Sequence, residues 1–181
     1  MTARLLDSCR QTLSAWTAPT AEQDQLRRRY LDHLDDHPDG WSRSCPGAHL
    51  TASSLICADD GQVLLTLHRR IGRWLQTGGH LEAADASIMD AAFREASEES
   101  GLDGLDLDHD PLLLSEHEVP CGIVRPTLHL DVQFLIRSGP AAAPVVGAES
   151  VAVQWFRHDQ LPGVDDSVTT LVQRAAARLG W

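Results

Sequence analysis

Three glutamates stand at a spacing that would place their carboxylates on one side of a helix. The sequence predicts a helix over residues 87–100, in which Glu95, Glu98 and Glu99 occupy positions i, i+3 and i+4. Gly101 follows as the left-handed residue that commonly ends a helix. Three acids on a helix usually form a solvated face, but clustered carboxylate oxygens are also the ligands that hard divalent cations require.

Two features favour a bound cation over a solvated face. The glutamates lie in the C-terminal half of the predicted helix, where the helix dipole disfavours anions and the like charges repel one another. Gly78 and Gly79 precede the helix and would let a ligand approach the backbone closely. Because magnesium keeps open coordination positions for substrate phosphates, the pattern indicates chemistry on a phosphate group.

Residues 79–102 resemble the Nudix box, whose pattern is Gly-x5-Glu-x7-Arg-Glu-U-x-Glu-Glu-x-Gly-U, with U a bulky aliphatic residue. Gly79 opens the box, and residues 94–102 close it as Arg-Glu-Ala-Ser-Glu-Glu-Ser-Gly-Leu. There are three departures, because Asp85 replaces the loop glutamate, eight residues instead of seven separate it from Arg94, and the small Ala96 stands at the first U. The likeness extends over residues 49–160, beyond the box itself.

The resemblance implies hydrolysis of a nucleoside diphosphate linked to another moiety, with Mg²⁺ or Mn²⁺ as the cofactor and a small-molecule diphosphate as the substrate. The metal ligands that it implies are Glu95, Glu98, Glu99 and the carbonyl of Gly78. It gives Arg94 the role of orienting the carboxylates. Attack of water on phosphorus also needs a carboxylate that accepts a proton. The candidates are Glu98 on the helix and Glu149 in a later loop, where Glu149 is otherwise an exposed acid.

Three histidines and an aspartate form a second candidate set. His49 opens the first predicted strand, His80 follows the glycine pair, and His129 and Asp131 alternate on one face of a later strand. These positions resemble metal ligands of isopentenyl diphosphate isomerase, an enzyme with the Nudix fold, although Gly78 stands where that enzyme has its reactive cysteine. The set predicts a second metal or phosphate site, and the alternative is four independent polar residues of one pocket.

The resemblance implies an α/β/α sandwich with a mixed sheet, here with an N-terminal helical extension. Residues 1–36 are predicted to form two helices, residues 37–48 a linker rich in helix breakers, and residues 49–181 the Nudix domain. The predicted strands cover residues 50–57, 62–67, 73–77, 112–119, 127–137 and 151–157, and Asp165 or Asp166 caps a last helix. An apolar stripe on the second helix needs cover from the sandwich or from a homodimer partner.

Composition restricts the partners further. The chain has 181 residues and a net charge of −11, and therefore lacks the basic face that a general nucleic-acid binder needs. It has no apolar run of the roughly 18 residues that span a membrane and no recognisable secretion signal, so we expect a cytoplasmic protein. Two other functions remain open: an isomerase-like enzyme that uses the histidine set on a prenyl-type diphosphate, and a catalytically silent nucleotide-sensing module. The intact box glutamates argue against the silent module.

Overall fold

A computed structural model describes residues 2–120, 125–148 and 150–181 as an α/β fold. The helices are α1 (Thr2–Ala15), α2 (Ala21–Asp36), α3 (Ile88–Ser100) and α4 (Asp166–Leu179). The strands are β1 (Ala48–Cys57), β2 (Gln62–His68), β3 (Trp74–Leu75), β4 (Thr77–His80), β5 (Asp106–Leu107), β6 (Leu113–Val119), β7 (Thr127–Arg137) and β8 (Ser150–Arg157). The predicted order of elements is therefore confirmed, with N-terminal helices in front of a mixed sheet and two further helices.

The sheet is organised around β1, which has three neighbours. Its whole length pairs in parallel with β7, its middle residues pair antiparallel with β4, and its last residues pair antiparallel with β2. All the other strand pairs of the described residues are antiparallel, with β6 and β5 beside β7 and with β3 and β8 beside β2. Strands pair with β1 along both edges and helices cover both faces of the sheet, so nearly all residues of β1 are buried.

Helices cover both faces of the sheet, as the sandwich prediction requires. On one face, α3 buries Ile88, Ala91 and Ala92 against alternate residues of β1 and β7. On the other face, α4 buries its apolar stripe against the opposite residues of the same strands. The caps also follow the sequence, because the side chains of Ser87 and Asp165 accept hydrogen bonds from backbone N–H groups of α3 and α4. Both helices lie against the strands that carry the candidate residues.

The two N-terminal helices pack on the sandwich, as the apolar stripe of α2 predicts. Tyr30 and Leu34 are fully buried in the same core as residues of α3, β6 and β7. The Tyr30 hydroxyl donates to the carbonyl of Ser115, and the Gln23 side chain donates to and accepts from the backbone of Leu114. Since Ser115 and Leu114 belong to β6, α2 covers the outer edge of this part of the sheet.

Three local details differ from the predictions. The helical spacing of Ile88, Ala92 and Ala96 predicts Phe93 on the apolar face of α3, but Phe93 is 40% exposed, and Ala91 is buried instead. The predicted strand 73–77 is divided into β3 and β4, which pair with different neighbours, and the short β5 was not predicted. The predicted linker is irregular, but Trp41 and Cys45 within it are buried. In the described part of the chain, no helix has both the length and the apolar character needed to cross a membrane.

Candidate active site

The strand β4 positions the glycine pair between the central strand and the acidic helix. Gly78 lies opposite Ser53 of β1, and Gly79 lies opposite Ala52. A Cβ on Gly78 would stand 2.3 Å from the Cβ of Ser53, and the backbone φ of Gly78 is 155°. Only glycine fits both the close approach and this dihedral angle. The glycine pair therefore lets the backbone of β4 fit closely between β1 and α3.

Two of the box glutamates contact this glycine pair directly. The N–H of Gly78 donates to Oε2 of Glu99 at 2.9 Å. A Cβ on Gly79 would lie 2.6 Å from the carboxylate carbon of Glu95, so the absence of a side chain there makes room for the acid. A backbone N–H and a closely fitted glycine thus contact the two carboxylates at adjacent residues of β4. Oxygen donors gathered in this way suit Mg²⁺ or Mn²⁺.

Arg94 connects the box loop to the helix. Its Nε and one terminal nitrogen donate to both carboxylate oxygens of Asp85, at 3.0 and 3.2 Å. It also donates to the carbonyl of His80 at 3.0 Å and to Oε1 of Glu95 at 2.8 Å. These acidic partners, Asp85 first, raise the pKa of the Arg94 guanidinium. The orienting role implied for Arg94 therefore agrees with its contacts.

The role of Asp85 is left open by the sequence, because both the acid and the spacer after it depart from the box pattern. Its carboxylate is only 5% exposed, and besides Arg94 it accepts a hydrogen bond from the N–H of Glu82 at 2.7 Å. The shorter acid and the longer spacer thus still allow a two-bond contact with the arginine. Asp85 therefore joins the loop to α3.

Of the two candidate proton acceptors, only Glu98 lies in the described part of the chain. The Glu98 carboxylate is 61% exposed and lies 3.6 Å from a terminal nitrogen of Arg94. Glu98 is therefore accessible on the same face of α3 as the other two acids. Glu149 lies outside the described residues.

The three predicted histidines converge. The ring centroids of His49 and His129 lie 4.8 Å apart, those of His80 and His129 5.0 Å, and those of His49 and His80 5.2 Å. Strand register explains this, because His49 pairs with His129 across β1 and β7, while His80 of β4 pairs with Thr51. One ring nitrogen from each histidine lies within 4.8 Å of the others.

The His49 ring is fully buried, and those of His80 and His129 are half-buried. Both ring nitrogens of His49 and Nε2 of His129 are buried without a hydrogen-bond partner among the described residues. Burial, followed by the neighbouring histidines, lowers the pKa of His49 to about 4 and that of His129 to about 3. Both rings are therefore neutral at neutral pH. A buried polar group without a partner costs about 1–3 kcal/mol, which marks this cluster as unusual for a purely structural core.

Asp131 lies beside the histidines but has partners of its own. Its carboxylate accepts hydrogen bonds from the hydroxyls of Thr51 and Ser53, at 2.9 and 2.6 Å, and from the amide of Gln133 at 3.0 Å. Burial raises the pKa of Asp131, while these donors act in the opposite direction. Asp131 is not part of the group of ligand atoms that the three histidines form. Sequence reasoning missed the three donors, whose only signal was their polarity within buried strands.

A cavity of about 400 Å³ lies beside both sets of residues. Gly78, Gly79 and Glu99 line it from the box side, and His80, His129 and Asp131 line it from the sheet. Apolar side chains such as Leu75 and Val119 and the cation of Arg73 complete its wall. This volume and mixed lining are typical of a small-molecule site.

The profile of the NUDIX domain matches residues 47–176, which is most of the chain. The chain belongs to the NUDIX family. The match begins just before β1 and includes the box and the histidine set, while α1 and α2 precede it. Membership of the Nudix hydrolases supports the predicted enzyme class, a hydrolase that acts on a diphosphate bond. None of the curated proteins matches this chain.

Several solved Nudix structures are similar to this one. A NUDIX-family hydrolase from Clostridium perfringens has a TM-score of 0.61 at 20% identity, covering 72% of this chain and 97% of that chain. The Ap4A hydrolase of C. elegans has a TM-score of 0.63 at 16% identity, with the same two coverages. An ADP-ribose pyrophosphatase from Streptococcus suis has a TM-score of 0.52 at 22% identity, covering 71% and 91%. At these identities the likeness shows the Nudix fold alone.

Proposed function

We propose that this chain is a divalent-cation-dependent pyrophosphohydrolase that cleaves a nucleoside diphosphate linked to another moiety. The observation that carries the proposal is the meeting of two box carboxylates with the glycine backbone, where Glu99 accepts from Gly78 and Glu95 fits against Gly79. The cavity begins at the same backbone. A phosphate in that cavity would lie beside oxygen donors that suit a hard cation.

The residues that would hold Mg²⁺ or Mn²⁺ are Glu95, Glu98, Glu99 and the carbonyl of Gly78. The chemistry of this donor set fits the ion, because all four groups offer oxygen and the carboxylates supply the charge that a dication needs. When bound, the ion would neutralise phosphate charge and lower the pKa of a water molecule.

The chain itself positions the acids and accepts the proton. Arg94 holds Glu95 from α3 and Asp85 from the loop, so the acid cluster is fixed before the substrate enters. Glu98 is the exposed acid of the cluster and is our candidate for the group that accepts the proton of the attacking water, with Glu149 as the alternative. Either carboxylate would have to reach the water from beside the scissile phosphorus.

The cavity limits the substrate to a small molecule, and its wall suggests how the rest of the molecule is held. Arg73 would attract a phosphate or another anion, although its partner Asp165, 3.9 Å away, offsets part of that charge. Leu75 and Val119 offer apolar surface for a base or sugar. Two structural neighbours carry the names Ap4A hydrolase and ADP-ribose pyrophosphatase. Their two substrates therefore head the panel to be screened, with nucleotide sugars and nucleoside triphosphates.

The test is cleavage of this panel with Mg²⁺ and with excess EDTA, for the parent and for Glu99→Gln. Cleavage is followed as phosphate release, meaning the phosphate that alkaline phosphatase frees from the new phosphomonoester ends, or that pyrophosphatase frees when a triphosphate is the substrate. Glutamine keeps an oxygen that can accept from Gly78 and removes only the charge. We expect a loss of about 100-fold or more, since even residues that merely support a metal ligand cost 10–100-fold when changed. Glu22→Gln, on the exposed surface of α2, is the matched control. Unchanged activity of Glu99→Gln on every substrate would reject the proposed metal ligands.

The histidine cluster favours a second candidate, an isomerase-like enzyme acting on a prenyl-type diphosphate. The observation that favours this candidate is the convergence of His49, His80 and His129 beside the cavity. Against it, Gly78 offers no thiol at the position where the resemblance expects one. Incubation with isopentenyl diphosphate separates the two candidates, because the isomerase conserves the diphosphate and the hydrolase releases phosphate from its own substrates. A full panel without any turnover would instead favour the silent sensing module.

A further inference from the structure

The cluster of His49, His80 and His129 is a donor set that the hydrolase chemistry does not use. The three side chains come from neighbouring strands of the sheet, so their positions are fixed by backbone pairing and not by a loop. All atoms that could serve as ligands in this cluster are imidazole nitrogens. The carboxylate of Asp131, two residues from His129, is held by two hydroxyls and an amide and is not in this group. The set therefore differs from the mixed histidine and acid set predicted from the sequence.

We infer that His49, His80 and His129 form a second metal site, which takes a transition-metal dication and leaves one coordination position open to the cavity. Three neutral nitrogen ligands suit Zn²⁺, Co²⁺ or a similar ion, whereas Mg²⁺ requires oxygen. Three protein ligands with an open fourth position are typical of zinc sites that bind a further ligand, and four ligands are typical of structural sites.

The distances between the nitrogens allow a shared ion after a small contraction. The three atoms lie within 4.8 Å of one another. The centre of a triangle of that size is about 2.8 Å from each corner, so each nitrogen would move by roughly 0.7 Å to form a metal bond of about 2.1 Å. Side-chain rotation supplies such a movement without any change in the strands.

Nitrogens of two of these rings are buried without a hydrogen-bond partner among the described residues and could bind a metal ion. Both nitrogens of His49 and Nε2 of His129 lack hydrogen-bond partners among the described residues, so a lone pair on each ring is available. An ion bound there would satisfy one of the two nitrogens of His49 and would carry two positive charges. His80 and His129 also line the cavity, together with Gly78 and Glu99. The open position would therefore attract an anionic oxygen, such as one of a phosphate group in the cavity.

Co²⁺ is the probe, because its visible absorption reports the ligands that it binds. The parent protein is stripped of metal and titrated with Co²⁺ in the presence of a large excess of Mg²⁺, which occupies the carboxylates. We expect one equivalent of Co²⁺ with an absorption typical of nitrogen ligands, and a change in that spectrum when inorganic phosphate is added. A spectrum that phosphate leaves unchanged would overturn the open position.

Variants decide which residues hold the ion. His49→Gln should weaken Co²⁺ binding by about 100-fold, since a lost ligand should cost at least as much as a lost supporting residue. His109→Gln, an exposed histidine elsewhere, should bind like the parent, and His49→Phe provides a second variant if His49→Gln fails to fold. Glu99→Gln should keep Co²⁺ binding while losing Mg²⁺-dependent phosphate release, so the failure of one proposal is distinct from the failure of the other. Co²⁺ binding that is lost in Glu99→Gln and kept in both His49 variants would overturn the inference.

Discussion

The acid cluster of Glu95, Glu98 and Glu99 and the cluster of three histidines lie beside one cavity but are built in opposite ways. The acids are charged and partly exposed, and Arg94 and the backbone of Gly78 hold them in place. The rings of His49 and His129 are neutral, and three of their nitrogens are buried without a partner among the described residues. Both clusters meet at β4, because the glycine pair contacts the acids and His80 follows it.

Because their donor atoms differ, the two clusters should be separable by the ion that each prefers. Carboxylate oxygens suit Mg²⁺ and Mn²⁺, while imidazole nitrogens suit Zn²⁺ and Co²⁺. A change that disturbs only the acids should therefore alter the Mg²⁺ requirement and leave Co²⁺ binding intact. A change in the histidines should do the reverse.

The largest effect among the remaining tests is expected at Arg94. Arg94→Lys keeps the charge but removes the fork that binds both oxygens of Asp85, so the acids lose their common support. We expect phosphate release to fall by about 10–100-fold. The free energy of unfolding, measured by urea denaturation, should fall by about 1–3 kcal/mol because a nearly buried carboxylate loses its partner. Arg28→Lys, on the exposed side of α2, is the matched control.

Co²⁺ binding by Arg94→Lys tests whether the acid cluster and the histidine cluster are independent. Arg94 touches the backbone carbonyl of His80, and its other partners are acids. Co²⁺ affinity close to that of the parent would keep the two clusters independent. A parallel loss of Co²⁺ affinity and phosphate release would show that Arg94 organises both, which breaks the proposed separation.

A smaller effect is expected at Gly79. In Gly79→Ala the new methyl group would stand 2.6 Å from the carboxylate carbon of Glu95 and displace that acid. The Mg²⁺ concentration that gives half of the maximal activity should rise by about 10-fold, because a ligand is moved but not removed. Gly163→Ala is a close control, since a Cβ at Gly163 would meet nothing within 4 Å. An unchanged Mg²⁺ requirement in Gly79→Ala would show that Glu95 is not a ligand.

The smallest effect concerns the stability of the histidine cluster without metal. His49→Phe removes two buried nitrogens that lack partners and keeps an aromatic ring of similar shape. In EDTA we expect the variant to be more stable than the parent by about 1 kcal/mol, the size of one unsatisfied buried group. Thermal melting with EDTA and with Co²⁺ checks this, because Co²⁺ should stabilise only the parent. A variant that is clearly less stable in EDTA would mean that the nitrogens of His49 are satisfied in solution.

The acid cluster could be predicted from the sequence because it is local. Helix geometry alone places Glu95, Glu98 and Glu99 on one face, and the box pattern adds Arg94 and the glycine pair. The contact between Asp85 and Arg94 was left in doubt, since a changed spacer can be judged only once the loop has a shape. Phe93 was expected in the core because the helical period alone does not tell which apolar residues the neighbours cover.

The histidine cluster depends on register, which the sequence does not specify. His49 and His129 are far apart in the chain and meet because β1 and β7 pair in parallel at that position. The faces of the strands could be predicted from alternation, but the partner of each residue could not. The same limit applies to Thr51 and Ser53, whose hydrogen bonds to Asp131 join residues of neighbouring strands.

The most direct test of the proposed hydrolase site is a crystal structure of the protein soaked with Mn²⁺, with anomalous difference density to locate the ion. We predict a strong peak between the carboxylates of Glu95 and Glu99, within bonding distance of the carbonyl of Gly78. A further, weaker peak among the histidines agrees with the second metal site inferred above. Density confined to His49, His80 and His129, with no ion at the carboxylates, would contradict the central claim that the box acids hold the catalytic cation.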